Sequence, residues 1–130
     1  MKIVDTHQHL WDKDLFHYAW LAPLPALDRS FRIADYRDAS RGIEVEKTVF
    51  VECDVDEPQV MDEALHILRL AEDPANRIAG IVASGRPEKS GFEAHVEKLS
   101  KHPKVKGVRR ILHTGPDETG MARTFVARMS

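Results

Sequence analysis

The chain reads as an α/β protein built on a parallel sheet. Short β-branched segments alternate with amphipathic helical segments along nearly its whole length. Each connection between successive strands is also long enough to hold a crossover helix. The composition, 42% hydrophobic and 31% charged over 130 residues, is that of one ordinary globular domain.

Residues 2–6 read as a buried strand, in which Ile3-Val4 runs into Asp5-Thr6-His7-Gln8-His9. Residues 10–32 follow neither the helical nor the strand period. They hold Trp11, Phe16, Tyr18, Trp20 and Phe31 together with Pro23 and Pro25. A connection of that length inside a compact domain is usually functional. Its aromatics either line a pocket or pin the loop to the body, and both roles are compatible. Asp35 through Arg41 reads as a short helix stopped at Gly42, a residue suited to a left-handed cap. Glu46–Cys53 is a second strand rich in β-branched residues.

Asp56-Glu57-Pro58 is a helix-start signal, with proline at or near the first helical position. From there Val60, Ala64, Leu65, Ile67, Leu68 and Ala71 form an apolar stripe that runs to about Glu72. Arg77–Ser84 is a third strand, Gly91–Ser100 a third helix ended by Pro103, and Val105–Leu112 a fourth strand. Residues 119–129 read as the start of a fourth helix. Strands alternating with helices imply parallel pairing and right-handed crossovers. Two architectures satisfy this: a small open doubly wound sheet, or the first half of an eight-fold βα barrel.

Several function classes fall away. With a formal charge of −2, and Lys and Arg interspersed with acids, nothing marks a nucleic-acid binder. No apolar run approaches the ~20 residues needed to cross a bilayer. Ile3-Val4 is too short for the apolar core of a signal peptide. The single cysteine, Cys53, fits a reducing compartment, so a soluble cytoplasmic protein is expected. There is no Gly-x-Ser-x-Gly elbow, P-loop or Gly-x-Gly-x-x-Gly.

The residues that carry chemistry begin with His7 and His9. Alternate side chains of a strand point to one face, so these two imidazoles project side by side from its C-terminal end. Neutral imidazole pairs hold zinc or manganese readily, with carboxylates completing the shell. The plain alternative, one hydrogen-bonded histidine at a strand end, describes a lone His better than this pair. Arg109 and Arg110 lie on opposite faces of the fourth strand; a guanidinium there binds a substrate carboxylate or hydroxyls through its fork, and otherwise makes a surface ion pair. Glu52, at the end of the second strand, either orients a histidine or contacts substrate. Ser84, at the end of the third strand, and Trp20, in the long loop, are further candidates for substrate binding. Cys53 has no base in sequence reach and reads as a buried structural thiol. His66 and His95 fall on helix surfaces, and His113 lies just past the fourth strand.

Val4-Asp5-Thr6-His7-Gln8-His9-Leu10-Trp11-Asp12 resembles the opening of the amidohydrolase-superfamily lactonases, the group that includes sugar-lactone and pyrone-dicarboxylate lactonases. Tyr18-Ala-Trp20-Leu21, the Phe31-x-x-x-Asp35-Tyr36 entry to the first helix, Thr48–Cys53 and the Gly107-Val-Arg109 strand are similar to that group too, in the same order. The resemblance implies the N-terminal half of a TIM barrel, with chemistry at the C-terminal ends of its strands. It implies a lactone carbonyl polarised by His7 and His9, or by a divalent metal they hold, and attacked by an activated water. It also implies that the later histidines and the proton-handling acid of such a site lie beyond Ser130. Residues 1–130 are thus expected to form one partial-barrel domain, inactive alone and prone to self-association through the open edges of its first and fourth strands. The competing expectation is a self-contained α/β metal-binding or interaction module without catalysis.

Overall fold

The computed structural model describes residues 1–112. His113 and the helix expected over 119–129 lie outside the described residues. Four strands, β1 (Lys2–Gln8), β2 (Glu44–Val51), β3 (Ile78–Ser84) and β4 (Val105–Arg109), alternate with three helices, α1 (Ile33–Ala39), α2 (Val60–Leu70) and α3 (Phe92–Ser100). The sheet order is β1-β2-β3-β4, and every neighbouring pair is parallel. A doubly wound sheet reverses its strand order at a switch point. This one runs in chain order throughout, so right-handed crossovers place all three helices on one face. The doubly wound alternative is thereby set aside, and the arrangement is that of a partial barrel.

Element boundaries moved by a few residues, each for a local reason. β1 extends through Gln8 because its C-terminal end still pairs with β2, Gln8 lying opposite Phe50. Helix α1 starts before Asp35, whose carboxylate accepts the Arg32 N–H at 2.8 Å and satisfies a donor that has no intrahelical partner. Pro58 lies in a 3₁₀ turn, Glu57–Gln59, that leads directly into α2. β4 stops at Arg109, three residues short of the expected end.

The core lies between the sheet and its helices. Phe50 of β2 and Ile81 and Ala83 of β3 pack with Ala64 and Ile67 of α2 and Leu99 of α3. Asp5 of β1 faces this layer too, since Tyr36 of α1 donates its hydroxyl to Asp5 Oδ2 at 2.7 Å. Val4 therefore points to the opposite face, aligned with Lys47, and it is 52% exposed.

The segment between β1 and α1 is ordered by its own contacts. Trp11 and Phe31 exchange backbone hydrogen bonds of 3.0 and 2.8 Å, which closes the segment into a loop. The Trp11 indole donates to the Arg29 carbonyl at 2.7 Å, and Arg29 stacks 3.6 Å over the Phe31 ring. Arg32 bonds both oxygens of Asp12, at 2.5 and 2.8 Å, and also reaches Asp14. Exposed ion pairs of this kind contribute about 0–1 kcal/mol each. The buried Leu10, Tyr18 and Leu21 do more to hold the loop down.

Gly85 tests how tightly α3 and β4 close on β3. A Cβ at Gly85 would lie 2.9 Å from Val108 Cβ and 3.1 Å from the Phe92 ring, whereas at Gly107 it would meet nothing within 4 Å. Gly85→Ala is expected to destabilise the fold by about 1–3 kcal/mol, the usual cost of overpacking. Gly107→Ala should stay within about 0.5 kcal/mol, as surface substitutions do. Equal melting temperatures for the two variants would show that this packing is not as described.

Candidate functional site

The imidazoles of His7 and His9 meet at the C-terminal end of β1. Their Nε2 atoms are 3.1 Å apart, with ring centroids at 4.8 Å and planes crossed at 78°. Local irregularity helps to place them. Between Asp5 and Gln8, β1 advances three residues while β2 advances two, from Thr48 to Phe50, which is the signature of a bulge. Gln8 turns into the protein, where its Oε1 accepts the Thr48 hydroxyl at 3.0 Å. Asp5 holds the bend by accepting the His7 N–H at 3.0 Å.

His9 has a fixed tautomer. Its Nδ1 lies 2.8 Å from the Val51 carbonyl oxygen, which can only accept, so Nδ1 carries the proton and the Nε2 lone pair faces His7. Burial, reinforced by His7 and Arg109, holds the His9 pKa below the ordinary imidazole value. A half-buried neutral imidazole with one nitrogen tied to a backbone carbonyl is the arrangement metal-ligating histidines use. The 3.1 Å separation lies within the span of two zinc–nitrogen bonds of about 2.1 Å each. No group of three or more His, Cys, Asp or Glu side chains able to hold a metal exists among the described residues. The pair therefore fits part of a metal shell.

Beside His9 opens a cavity of about 270 Å³ lined by Trp11, Trp20, Cys53, Asp54 and Arg109 among others. The two indoles meet edge to face at 5.5 Å. Trp20 is locked by donating its Nε1–H to the Cys53 carbonyl at 2.7 Å. Arg109 is held from behind by Glu52: Nε donates to Oε1 at 2.5 Å and Nη2 to the Glu52 backbone carbonyl at 2.6 Å. Of the five guanidinium N–H groups these use two, leaving three for the cavity side. Glu52 Oε2 accepts the Asp54 N–H at 2.8 Å, and the Glu52 side chain is 1% exposed.

The expected site residues thus divide. His7, His9, Glu52, Arg109 and Trp20 come together at one end of the sheet. Glu52 lies behind Arg109, out of reach of the cavity, as a group that positions the guanidinium. Arg110 points to the other face and pairs with Glu88 at 2.9 Å. Ser84 is buried outside the cavity lining, and its carbonyl oxygen is 2.8 Å from His95 Nε2, which docks α3 on β3. His66 packs edge to face on Phe16 at 5.6 Å. Cys53 is a buried thiol whose pKa burial pushes well up, in keeping with a structural role.

Asp54 shares with Glu52 the end of the second strand, where an acid is expected to orient a histidine or contact substrate. Its conformation had no signal in the sequence, and the burial of Glu63 had none either. Asp54 lines the cavity with a left-handed backbone, φ +52°, that no local pattern announces. Glu63 of α2 sits on what reads as an ordinary helix surface position, yet it is 1% exposed. Its Oε1 accepts the Cys53 N–H at 3.3 Å and the Tyr18 hydroxyl at 3.5 Å. Burial, aided by the negative charge of Glu52, pushes its pKa up to about 8.

That shift has a definite consequence for stability. The folded state holds the Glu63 proton more tightly than the unfolded chain, whose carboxyl titrates near 4.5. The stabilisation is complete below pH 4.5 and is lost progressively as pH rises toward about 8. Glu63→Gln should flatten the decline of melting temperature over that window. At pH 8.5 it should raise the melting temperature by roughly 5 °C, the shift about 1 kcal/mol produces in a domain of this size. Parallel melting-temperature profiles for the variant and the parent would refute the assignment.

No family model and no curated protein matches the sequence. Among solved structures, the chain is similar to amidohydrolase 2 from Bifidobacterium longum subsp. infantis, at 23% identity and a TM-score of 0.59, over 98% of this chain and 49% of that one. It is also similar to an amidohydrolase from Burkholderia multivorans crystallised with bound zinc, at 25% identity and a TM-score of 0.69. That match covers 95% of this chain and 40% of the other. The chain therefore spans about half the length of the first and two-fifths of the second. Its four parallel strands and intervening helices have the fold of a partial TIM barrel of the amidohydrolase kind.

Proposed function

We propose that this chain carries the β1–β4 side of a hydrolase site of the amidohydrolase superfamily, which opens a sugar or dicarboxylate lactone by attack of water. The observation that carries the reading is the convergence of the His7 and His9 Nε2 atoms, with the His9 tautomer set by the Val51 carbonyl. The resemblance of the opening motif to the lactonases supplies the substrate class. In this reading His7 and His9 hold a divalent ion, zinc or manganese. Such an ion, when bound, polarises a carbonyl and lowers the pKa of water.

The chain's own residues do the rest of what β1–β4 contribute. Arg109 presents its three remaining N–H groups to a substrate carboxylate or ring hydroxyl, and Glu52 keeps the fork aimed. Trp11 and Trp20 wall the cavity and exclude water, which strengthens each polar contact inside it. The acid that receives the proton of the attacking water is assigned to strands beyond β4. Association through the outer edges of β1 and β4 belongs to the same reading.

Zinc titration of the full chain tests the pair directly. His7→Ala and His9→Ala should each weaken zinc binding at least tenfold, about 1.4 kcal/mol, and, in a barrel completed with the strands beyond β4, slow lactone hydrolysis by a similar factor. Unchanged affinity and unchanged turnover in both variants would end the metal and carbonyl roles together.

Glu52→Gln separates positioning from chemistry. With the charge on Glu52 gone, Arg109 loses its charged anchor. In the barrel completed with the strands beyond β4, KM for a carboxylated lactone is then expected to rise about tenfold or more while kcat changes little, the mark of lost uniform binding. A fall in kcat at unchanged KM would place Glu52 in the chemistry instead.

A further inference from the structure

A second cleft of about 380 Å³ adjoins the His9 cavity. Trp20 and Asp54 line both, so the two spaces meet along one wall. Glu57, Arg86, Lys89 and Arg110 also line this cleft. Arg110 is already engaged by Glu88 at 2.9 Å. Arg86 is not engaged in the same way. Its side chain is 14% exposed, and its nearest acidic oxygens, Asp54 Oδ1 and Glu57 Oε2, stand at 3.7 and 3.8 Å, beyond hydrogen-bond reach. Its Nε is buried without a hydrogen-bond partner among the described residues. Nε itself is sealed from solvent, so a ligand would meet the exposed part of the guanidinium, which lines the cleft.

The charges around Arg86 narrow what that ligand is. The cleft carries Arg86, Lys89 and Arg110 against Asp54, Asp56 and Glu57. Arg110 is held by Glu88, Asp56 by His17 at 2.7 Å, and Lys89 stands 3.4 Å from Glu57. Its charges are thus already balanced, and an incoming anion gains no free cation beyond Arg86. A hydroxyl group needs no such cation. It accepts a hydrogen bond from Arg86 and donates one to Asp54 or Glu57, using donors and acceptors that are close but not bonded to one another. Neighbouring hydroxyls on a carbon chain do this in series. Trp20, held rigid by its bond to the Cys53 carbonyl, offers an apolar ring for the C–H faces between them.

We propose that Asp54, Glu57 and Arg86 form a polyol subsite, which takes a hydroxylated chain or second sugar ring carried by the substrate past Trp20. The claim that this ligand is an extension of the substrate rests on the lactonase reading above. The claim that the cleft binds hydroxyl groups does not.

Calorimetric titration of the full chain with maltitol, and separately with citrate, decides it. Saturable maltitol binding is expected, weakened at least tenfold by Arg86→Met and at least threefold by Glu57→Gln, with no displacement by citrate. Glu57 is solvent-exposed, so its variant keeps the test valid if Arg86→Met fails to fold. Absence of saturable binding, unchanged binding in folded variants, or displacement of maltitol by citrate would each overturn the subsite. Hydrolysis of a single-ring lactone by the barrel completed with the strands beyond β4, measured in parallel, keeps the two claims apart. Hydrolysis without maltitol binding sinks the subsite alone; maltitol binding without hydrolysis sinks the reaction alone.

Discussion

A carboxylate almost sealed from water governs the functional end of this sheet. Glu52 is 1% exposed, and a charge in that position is costly by several kcal/mol unless it is paired and hydrogen-bonded. Its two oxygens meet that demand in two directions. One takes the Arg109 guanidinium from β4, across the width of β3; the other takes the Asp54 N–H and bends the chain after β2 into a left-handed turn. The Arg109 fork and the turn at Asp54 follow from where this one charge is buried, and the same charge adds to the effect of Glu63's own burial in raising the Glu63 pKa. Removing the Arg109 guanidinium would leave the buried Glu52 charge unpaired.

The loop between β1 and α1 serves the same end by different means. Its charged pairs are mostly solvent-exposed and hold little energy individually. Tyr18 and Leu21 go under, into the core, while Trp11 and Trp20 stay at the cavity. The loop's aromatic residues therefore divide between anchoring and lining. The same indole lines both the His9 cavity and the neighbouring cleft, so Trp20 stands between the two spaces.

The histidine pair shows both the reach and the limit of strand alternation. Spacing of two residues correctly puts His7 and His9 on one side of β1, and their rings do meet. Alternation alone does not foresee the bulge between Asp5 and Gln8, nor the Val51 carbonyl that selects the His9 tautomer. That partner comes from a strand more than forty residues away in sequence. Ser84 illustrates the opposite case. Its place at the end of β3 is as expected, yet it is buried away from the cavity.

Local information was enough for the elements and their kind. Hydrophobic period, Pro58 at a helix start and the run of β-branched residues through Phe50 are all expressed within a dozen residues, where near neighbours dominate the energetics. Those same signals left two sheet architectures open, because strand order depends on which edges pair and not on any segment's own preference. The order β1-β2-β3-β4, the burial of Glu52 and Glu63, and the idle donors of Arg86 were settled only when distant segments packed. A charge's cost or a donor's lack of partner is a property of its surroundings, and those exist only after the chain has closed on itself.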